Sequence, residues 1–388
     1  MTRRTWRIAA AAAVGVTALA LALPQAAMAG GAGSGHGGAG QCALARSTVT
    51  ATAHVDAGLT ERFARYGDTG GGWTGGDSTF SLPLSGGRLG WFFSDTFLGK
   101  VNPDGSRPAD APFVNNSIVV QDAHGLRTVA GDGSGAPAGV VPPEADGRWY
   151  WVGDPASGPR GTVQLPLLQF EKTGTGSFDF RWTANRLAIL DGKSLALRTI
   201  VDLPSATGIN WGSWTLQQGA TTYIYGVTDV DGVRSAYVAR TQGRDGLTGH
   251  WTFWNGARWS ASEADAVPIT PNVANEFSVA PFKDGYLLVT QDTSELFSTR
   301  IVVKVGCSPT GPFTEAAELY RTPETGAQGS YANANVFTYN AHEHPELRRG
   351  NRILVTYNVN SFDNVGDVYD DVTIYRPRFV DVDLTVRR

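Results

Sequence analysis

The chain has 388 residues, including 48 glycines, 20 prolines and 11 tryptophans but only 2 cysteines, and charged side chains make up 18% of it. This aromatic-rich and charge-poor composition excludes a disordered chain, because the sequence can bury a large core. The formal net charge of -4 argues against binding to nucleic acid or anionic lipid through neutralised phosphates.

The first 29 residues have the pattern of a secretory signal peptide. Arginines near the start precede a run of Ala, Val and Leu, and Ala27-Met28-Ala29 offers a small-x-small cleavage pattern. We therefore expect a secreted, extracellular protein whose mature chain begins near Gly30. Residues 30–41 are predicted to be a Gly-rich linker, because glycine has no side chain to pack. No later stretch is apolar for the ~18 residues that a membrane helix needs, so membrane insertion is not expected.

The chain beyond residue 41 has the pattern of strands. Short runs of Val, Ile, Tyr, Phe and Trp are separated by Gly, Asp and Asn, as is typical of strands and hairpins. Leu59–Tyr66 is the one short segment with a helical pattern. Cys42 and Cys307 are an even pair in a chain expected to be exported, which permits one disulfide bond. Two unpaired buried thiols are the alternative.

A repeated pattern divides this region into five units of about 65 residues. Each unit contains an apolar run that ends in an acidic or amide residue; the runs are WFFSD, YWVGD, IYGVTD, LLVTQD and LVTYN. A fixed period of all-strand units is typical of a propeller. The prediction for residues 42–388 is therefore one all-β domain, a five-bladed β-propeller, with a pair of β-sandwiches as the alternative. Alternating apolar residues in 371–388 predict strands that seal the last blade against the first.

The first unit contains the most informative hairpin. A strand from Asp77 to Leu84, a turn centred on Gly86 and a strand from Arg88 to Phe97 would place Asp77 directly opposite Asp95. Two opposed carboxylates cannot both ionise easily, so one pKa should rise, and one site can then supply both an acid and a base. The alternative is two Asp residues that flank a turn and point into solvent.

Further candidates lie where the inner strands of later units are predicted to begin. In a propeller these positions line the central channel, so Glu276 and His342 are expected to share the cavity of the aspartates, with Asn275 beside them. His342 and Asn275 are therefore candidate substrate-binding residues. For Glu276 the alternative is an acid satisfied within a hydrogen-bond network. His342 and His344 could ligate a metal, but no other metal-binding pattern supports this, and we expect no metal site. No cofactor is expected either, although a structural cation would fit the channel.

Two tryptophans are candidate sugar-binding residues. Trp73 lies in a Gly-rich loop and Trp211 near a strand end, and aromatic faces stack on the C–H faces of carbohydrate. Core packing is the alternative, and it is expected for most of the neighbouring rings. The sequence has no GxSxG elbow, no GxxxxGK[ST] loop and no CxxC pair.

The chain resembles exported bacterial proteins of unknown function that are similar to the endo-D-arabinanases of glycoside hydrolase family 183. The resemblance is carried by segments that include WTGGDSTFSLPLSGGRLGWFFSDTFLG, NNSIVVQD, ANEFSV, LLVTQDTSE and YNAHEHPEL. It implies a five-bladed propeller that cleaves furanoside polymers such as D-arabinan, with the paired acids at Asp77 and Asp95. Asn116, in NNSIVVQD, is a candidate substrate-binding residue.

The favoured hypothesis is a secreted, endo-acting glycoside hydrolase that uses two carboxylates flanking the scissile bond. Asp77 is predicted as base or nucleophile, and Asp95 or Glu276 as acid. The alternative is a non-catalytic glycan-binding propeller of the cell surface. In either case the expected partner is a polysaccharide, and the expected state is a monomer.

Overall fold

In the computed structural model, which describes residues 42–133 and 135–388, five β-sheets surround a central channel as a five-bladed β-propeller. This confirms the predicted fold. The predictions for residues 1–41, a signal peptide and a Gly-rich linker, lie outside the described residues. The helices of the described part are α1 (Ala57–Asp68) and α2 (Asp367–Asp370), with 3-10 turns at Leu44–Arg46, Pro159–Gly161, Gly246–Thr248, Glu263–Asp265 and Pro345–Leu347.

The strands are numbered in chain order. The first is β1 (Thr48–Val55), and blade 1 contains β2 (Gly72–Leu84), β3 (Arg88–Gly99), β4 (Phe113–Val114), β5 (Ser117–Asp122) and β6 (Gly125–Val129). A small hairpin follows, β7 (Gly131–Gly133) and β8 (Ala136–Ala138). Blade 2 contains β9 (Trp149–Val152), β10 (Ala156–Ser157), β11 (Thr162–Lys172), β12 (Phe180–Asp191) and β13 (Leu197–Asp202).

The remaining strands complete the ring. Blade 3 contains β14 (Asn210–Gln218), β15 (Thr221–Val230), β16 (Val233–Gln242), β17 (Thr252–Trp254), β18 (Trp259–Ser260) and β19 (Thr270–Pro271). Blade 4 contains β20 (Phe277–Phe282), β21 (Gly285–Gln291), β22 (Arg300–Gly306) and β23 (Thr314–Arg321). Blade 5 contains β24 (Val336–Glu343), β25 (Arg352–Ser361) and β26 (Pro377–Arg387), with β1 as its outer strand.

The ring closes within blade 5, where β1 pairs antiparallel with β26 from Thr48↔Arg387 to Val55↔Val380. The prediction of strands throughout 371–388 is wrong at its start, because residues 371–376 form a turn and β26 begins at Pro377. The sealing partner is the N-terminal strand of the same blade rather than blade 1. Pairing on both sides leaves β26 without an exposed edge.

Two further contacts hold the N-terminal region to the body. Cys42 and Cys307 form the predicted disulfide bond, and the Asp284 carboxylate accepts hydrogen bonds from the amides of Ala43 and Leu44. The predicted helix is confirmed and is slightly longer than expected; its N-cap Asp56 accepts a hydrogen bond from the Leu59 amide at 2.9 Å. None of the described helices is long and apolar enough to cross a membrane.

The cores of the blades explain why the alternating sequence forms strands. Side chains on the two faces of each sheet pack against the neighbouring blades, so almost every apolar run is buried. The innermost strands β2, β14, β20 and β24 approach each other in the channel, as the sequence predicted. They make direct contact there, since the Glu343 amide donates to Ser278 Oγ at 2.9 Å and Phe80 stacks on His342 with ring centroids 4.7 Å apart.

Candidate active site

The hairpin β2–β3 is regular near its turn and irregular where the aspartates lie. Pairing runs from Leu84↔Arg88 to Phe80↔Phe92, and the register then shifts on both sides of Ser78. Ser78 and Thr79 have positive φ angles of 68° and 72°. Asp77 and Asp95 therefore have no ladder partners, and the predicted direct opposition is wrong. The two carboxylates nevertheless interact, because the charge of Asp77 helps to raise the pKa of Asp95.

Asp77 is held by two phenols of blade 5, one on β24 and one in the turn that precedes β26. Its Oδ2 accepts hydrogen bonds from Tyr339 Oη at 2.8 Å and from Tyr375 Oη at 3.0 Å. Its Oδ1 is buried and has no hydrogen-bond partner among the described residues. Burial raises the pKa of Asp77 to about 6, and the two phenols oppose this rise by stabilising the anion. One oxygen is thus fixed by two donors, and the other has no hydrogen-bond partner in the described part of the chain.

Asp95 is held from blade 1 and blade 2. Its Oδ1 accepts hydrogen bonds from Asn115 Nδ2 at 2.9 Å and from Trp151 Nε1 at 2.7 Å. Burial, followed by the charge of Asp77, raises the pKa of Asp95 to about 8. Asp77 therefore ionises first, and between these two values the pair holds one carboxylate and one carboxylic acid.

Glu276 immediately precedes β20, across the channel from Asp77. Its Oε1 accepts hydrogen bonds from Ser78 Oγ at 2.7 Å and from Asn340 Nδ2 at 2.8 Å, while Oε2 has no hydrogen-bond partner in the described chain. Burial raises the pKa of Glu276 well above its usual value, and the charge of Asp77 adds to this. The structure thus brings the three predicted acids into one electrostatically linked group.

His342 and Asn275 border this group in different ways. His342 is fully buried; its Nδ1 contacts the Asn340 carbonyl oxygen at 3.0 Å and lies 3.7 Å from Glu276 Oε2. Burial lowers the pKa of His342 to about 4, so the ring is neutral. The expectation that His342 contacts substrate is wrong, because the ring is packed against Phe80. Asn275 is exposed and lines a pocket beside the site.

Three other predicted substrate-binding residues belong to the interior. Trp73 is fully buried and packs against Phe63 with ring centroids 5.4 Å apart, so the predicted sugar subsite at Trp73 is wrong. Trp211 is also fully buried and donates from Nε1 to Glu263 at 3.0 Å. Asn116 is buried. Its Nδ2 donates to the carbonyl oxygens of Val141 and Tyr150, and its Oδ1 accepts a hydrogen bond from the Val141 amide. The three substrate-binding predictions are wrong for the same reason, because these side chains are buried and stabilise the fold.

The channel histidines do not form a metal site. His344 Nδ1 contacts Ser81 Oγ, and its Nε2 contacts Thr356 Oγ1 at 2.8 Å. Over residues 42–133 and 135–388, no cluster of His, Cys, Asp and Glu has the composition to hold a metal ion.

A pocket of about 450 Å³ opens next to the acids. Tyr339 and Asn340 line it, and these two side chains bond Asp77 and Glu276 respectively. None of Asp77, Asp95 and Glu276 lines this pocket itself, and Asp77 and Glu276 reach it through those two side chains. Another pocket, of about 310 Å³, is lined by residues of 201–204 and 247–251, none of which bonds the acids. The acids and the larger pocket together define the candidate active site.

Sequence reasoning missed the groups that hold the acids in place. They are Asn115, Trp151, Tyr339, Asn340 and Tyr375. Tyr339 and Asn340 directly precede the AHEH segment, so this part of the chain was recognised but the wrong residues in it were chosen. A bulge between Tyr339 and His342 explains the error, because it shifts the position that faces the acids from His342 to Asn340.

Comparison with known proteins shows the fold and the family. A candidate hydrolase from Bacteroides ovatus superposes with a TM-score of 0.69 at 20% identity, over 87% of this chain and 94% of that one. A family 117 glycoside hydrolase from Zobellia galactanivorans gives a TM-score of 0.46 at 12% identity, over 87% and 90% of the two chains. An α-L-arabinofuranosidase from Podospora anserina gives 0.43 at 11% identity, over 81% and 92%.

No curated protein sequence matches the chain. The model of one sequence family matches residues 60–384, which include all five blades except the outer strand β1 and the last three residues of β26. Because this match covers most of the chain, the protein belongs to the family described as a domain of unknown function, DUF5005.

Proposed function

We propose that the protein is a glycoside hydrolase that cleaves internal bonds of a furanoside polysaccharide such as cell-wall D-arabinan. The observation that carries this proposal is the pair Asp77 and Asp95, whose pKa values are raised to about 6 and about 8 in a partly open site. Glycosidic bonds are commonly cleaved by two carboxyl groups of which one is protonated and the other is ionised. Near neutral pH this pair is in that state.

The surroundings of the two aspartates assign their roles. Asp95, the group that ionises second, would protonate the leaving glycosidic oxygen. Asp77, held through Oδ2 by the two phenols, would either attack the anomeric carbon or take a proton from the attacking water. If Asp77 attacks, water then displaces it from the anomeric carbon, the Asp77–carbon bond breaks and the water proton passes to Asp95. If Asp77 acts as base, water adds directly, and Asp77 then loses its proton to solvent while Asp95 regains one.

Glu276 supports the site as a further acid rather than as a member of the pair. Its Oε1 is occupied by Ser78 and Asn340, and burial raises its pKa, which favours the protonated form. Its Oε2 can then donate a hydrogen bond to a sugar hydroxyl or to the leaving oxygen.

The substrate class is supported by the resemblance of the WTGGDSTFSLPL hairpin to endo-D-arabinanases, in which the paired acids fall on Asp77 and Asp95. Export, which the first residues predict, would give the enzyme access to such a polymer outside the cell.

The test is a digestion panel of purified D-arabinan, linear L-arabinan, xylan and galactan, followed by sizing of the products. We expect D-arabinan to be shortened to oligosaccharides. Asp77→Asn and Asp95→Asn should each lower the rate by about 10²- to 10⁴-fold, while Asp132→Asn, an exposed carboxylate on the β7–β8 hairpin, should not.

Two results would contradict the proposal. Retention of D-arabinan without shortening would favour the non-catalytic glycan-binding alternative. A variant of either aspartate that keeps a tenth or more of the wild-type rate would show that the pair is not catalytic.

A further inference from the structure

The exposed apolar side chains of the protein are concentrated in four loops on one face. Among the described residues, all large apolar side chains that are exposed lie in these loops, except Val55 and Phe113. The loops are residues 173–179, 230–233, 292–299 and 362–366, and their exposed members are Phe178, Val230, Val233, Leu296, Phe297, Phe362 and Val365. Such a concentration marks a binding face, because isolated exposed apolar residues are usually scattered.

Three phenylalanines from different blades meet in this region, and we call Phe178, Phe297 and Phe362 the aromatic rim. Phe362 lies between β25 and β26 of blade 5, and its ring centroid is 4.9 Å from that of Phe297 in blade 4 and 6.4 Å from that of Phe178 in blade 2. The rings are 52%, 39% and 46% exposed in chain order, so each contacts a neighbour and still presents a face to solvent. These ring contacts thus connect loops of separate blades, whose strands belong to different sheets and do not pair with each other.

The aromatic rim is continuous with the candidate active site. Phe337 packs under Phe297 and Phe362 at 4.7 and 4.6 Å, and its other neighbour at 5.5 Å is Tyr339, which bonds Asp77. Phe297, Phe337 and Tyr339 all line the pocket of about 450 Å³. This volume is within the ~300–1,000 Å³ range of small-molecule sites.

The polar side chains of the pocket distinguish among possible occupants. Asp229, Arg234, Asn275 and Thr293 line it together with the exposed Glu295. Flat rings beside carboxylates, a guanidinium and an amide suit a sugar, whose C–H faces stack on rings while its hydroxyls form hydrogen bonds. Asp229 and Arg234 already pair with each other, and Thr293 donates to the Val273 carbonyl oxygen, but an acyl chain would remove water from Asn275 and Glu295 without replacing its hydrogen bonds.

We propose that the aromatic rim and this pocket bind sugar residues of the polysaccharide that lie away from the bond being cleaved. The chain would run from the acids past Tyr339 and stack on Phe297 and Phe362. This inference rests on the proposed glycan substrate, and it adds a distal subsite that would make long chains better substrates than short ones.

The test exchanges the ring for side chains of similar size. Phe362→Leu and Phe297→Leu keep apolar bulk but lose the flat face, whereas Phe362→Tyr and Phe297→Tyr keep the ring. We expect each Leu variant to raise KM for polymeric D-arabinan by about fivefold to tenfold with kcat nearly unchanged, and each Tyr variant to behave as the wild type. The shortest oligosaccharide that the wild type cleaves should be unaffected, because it does not reach the rim. Val55→Ala, which removes an exposed apolar side chain on β1, is the control.

Binding is measured independently of turnover by mobility of the folded protein in native gels that contain D-arabinan. Retarded wild type and weakly retarded Leu variants would support the subsite even if no hydrolysis occurred, which separates this inference from the proposed function. Hydrolysis with equal KM and mobility in all variants would overturn the subsite and leave the proposed function intact. A dimer of the wild type in sedimentation that the Leu variants retain and Phe362→Asp breaks, with unchanged glycan binding, would also overturn it and identify the rim as a self-association surface.

Discussion

Two innermost hairpins of the propeller, β2–β3 in blade 1 and β20–β21 in blade 4, have similar positions but different regularity. In blade 4 the strands pair without interruption from Phe277↔Thr290 to Phe282↔Gly285. In blade 1 the register shifts three times, and two successive residues, Ser78 and Thr79, have positive φ. Both hairpins are adjacent to candidate acids, but only the irregular one contains them within its strands.

The difference shows how a sheet can present acids toward a channel. A regular strand directs alternate side chains to opposite faces, where they are packed against neighbouring blades. The shifts in blade 1 release Asp77 and Asp95 from that alternation, and blade 4 instead places Glu276 just before its strand begins. Residues in uncommon backbone conformations cost stability, and they persist where function and surrounding contacts require them.

The largest expected effect comes from placing the same substitution in both hairpins. Thr79 and Thr290 are both fully buried, and the hydroxyl of each is hydrogen bonded. Thr290→Gly should lower the free energy of unfolding by about 3 kcal/mol through a lost hydrogen bond, a lost methyl contact and added backbone freedom. Thr79→Gly should cost about 1 to 2 kcal/mol less, because glycine adopts a φ of 72° without strain. Urea unfolding measures both, and equal losses would show that the backbone of blade 1 is not strained.

A second comparison uses carboxylates of opposite pKa shift. The pKa of Asp95 is higher in the folded protein than in the unfolded chain, so folding favours the protonated carboxyl group. The stability that this group contributes is fully present below its unfolded pKa and is lost as the pH rises toward about 8. Asp95→Asn should therefore raise Tm at pH 8 by at least about 2 °C and have little effect near pH 4.

Asp284, in the turn of β20–β21, has a pKa lowered by hydrogen bonds from the Ala43 and Leu44 amides. Asp284→Asn should lower Tm at pH 8, and its effect should fade as the pH drops below the unfolded pKa. Calorimetry at both pH values gives the two signs, and matching signs would contradict the assigned shifts.

The smallest expected effect concerns the phenols on Asp77. Tyr339→Phe or Tyr375→Phe removes a donor that lowers the pKa of Asp77, so that pKa should rise. The acidic limb of the rate profile should move up by about half to one pH unit, while the basic limb, set by Asp95, stays in place. Tyr286→Phe is the matched control, because Tyr286 of β21 donates to Gln218 outside the site. A uniform drop in rate without movement of the acidic limb would assign the phenols a purely structural role.

The fold could be predicted from the sequence because it rests on repetition. Each blade needs apolar strands separated by turns, and this pattern can be recognised in the sequence without knowledge of long-range contacts. The outer strand of blade 5 was not predicted, because β1 is identified only by its pairing with β26, far along the chain. The helix α1 was predicted because its apolar periodicity is local, and the cap at Asp56 extends it beyond the predicted start.

The site was only partly predictable for a physical reason. Asp77, Asp95 and Glu276 were found from residue type and position, and the structure brings them together. Trp73 and Trp211 show the limit, because a local pattern does not distinguish a ring that packs in the core from one that faces a ligand. The bulges that place Asn340 opposite Glu276 depend on tertiary contacts and leave no pattern in a single sequence.

The closure of the ring through β1 and β26 also determines the order in which the molecule can assemble. During synthesis from the N-terminus β1 emerges before the other described strands, whereas its partner β26 emerges after all of them. Blades 1 to 4 consist of strands that are close in sequence and can form early, whereas blade 5 must wait, since pairing distant segments is slow. Until then β1 has an open edge, to which another unfinished chain could pair. A chain that stops short of β26 leaves the edge of β1 open. Only a chain that includes β26 can therefore close blade 5 and cover that edge.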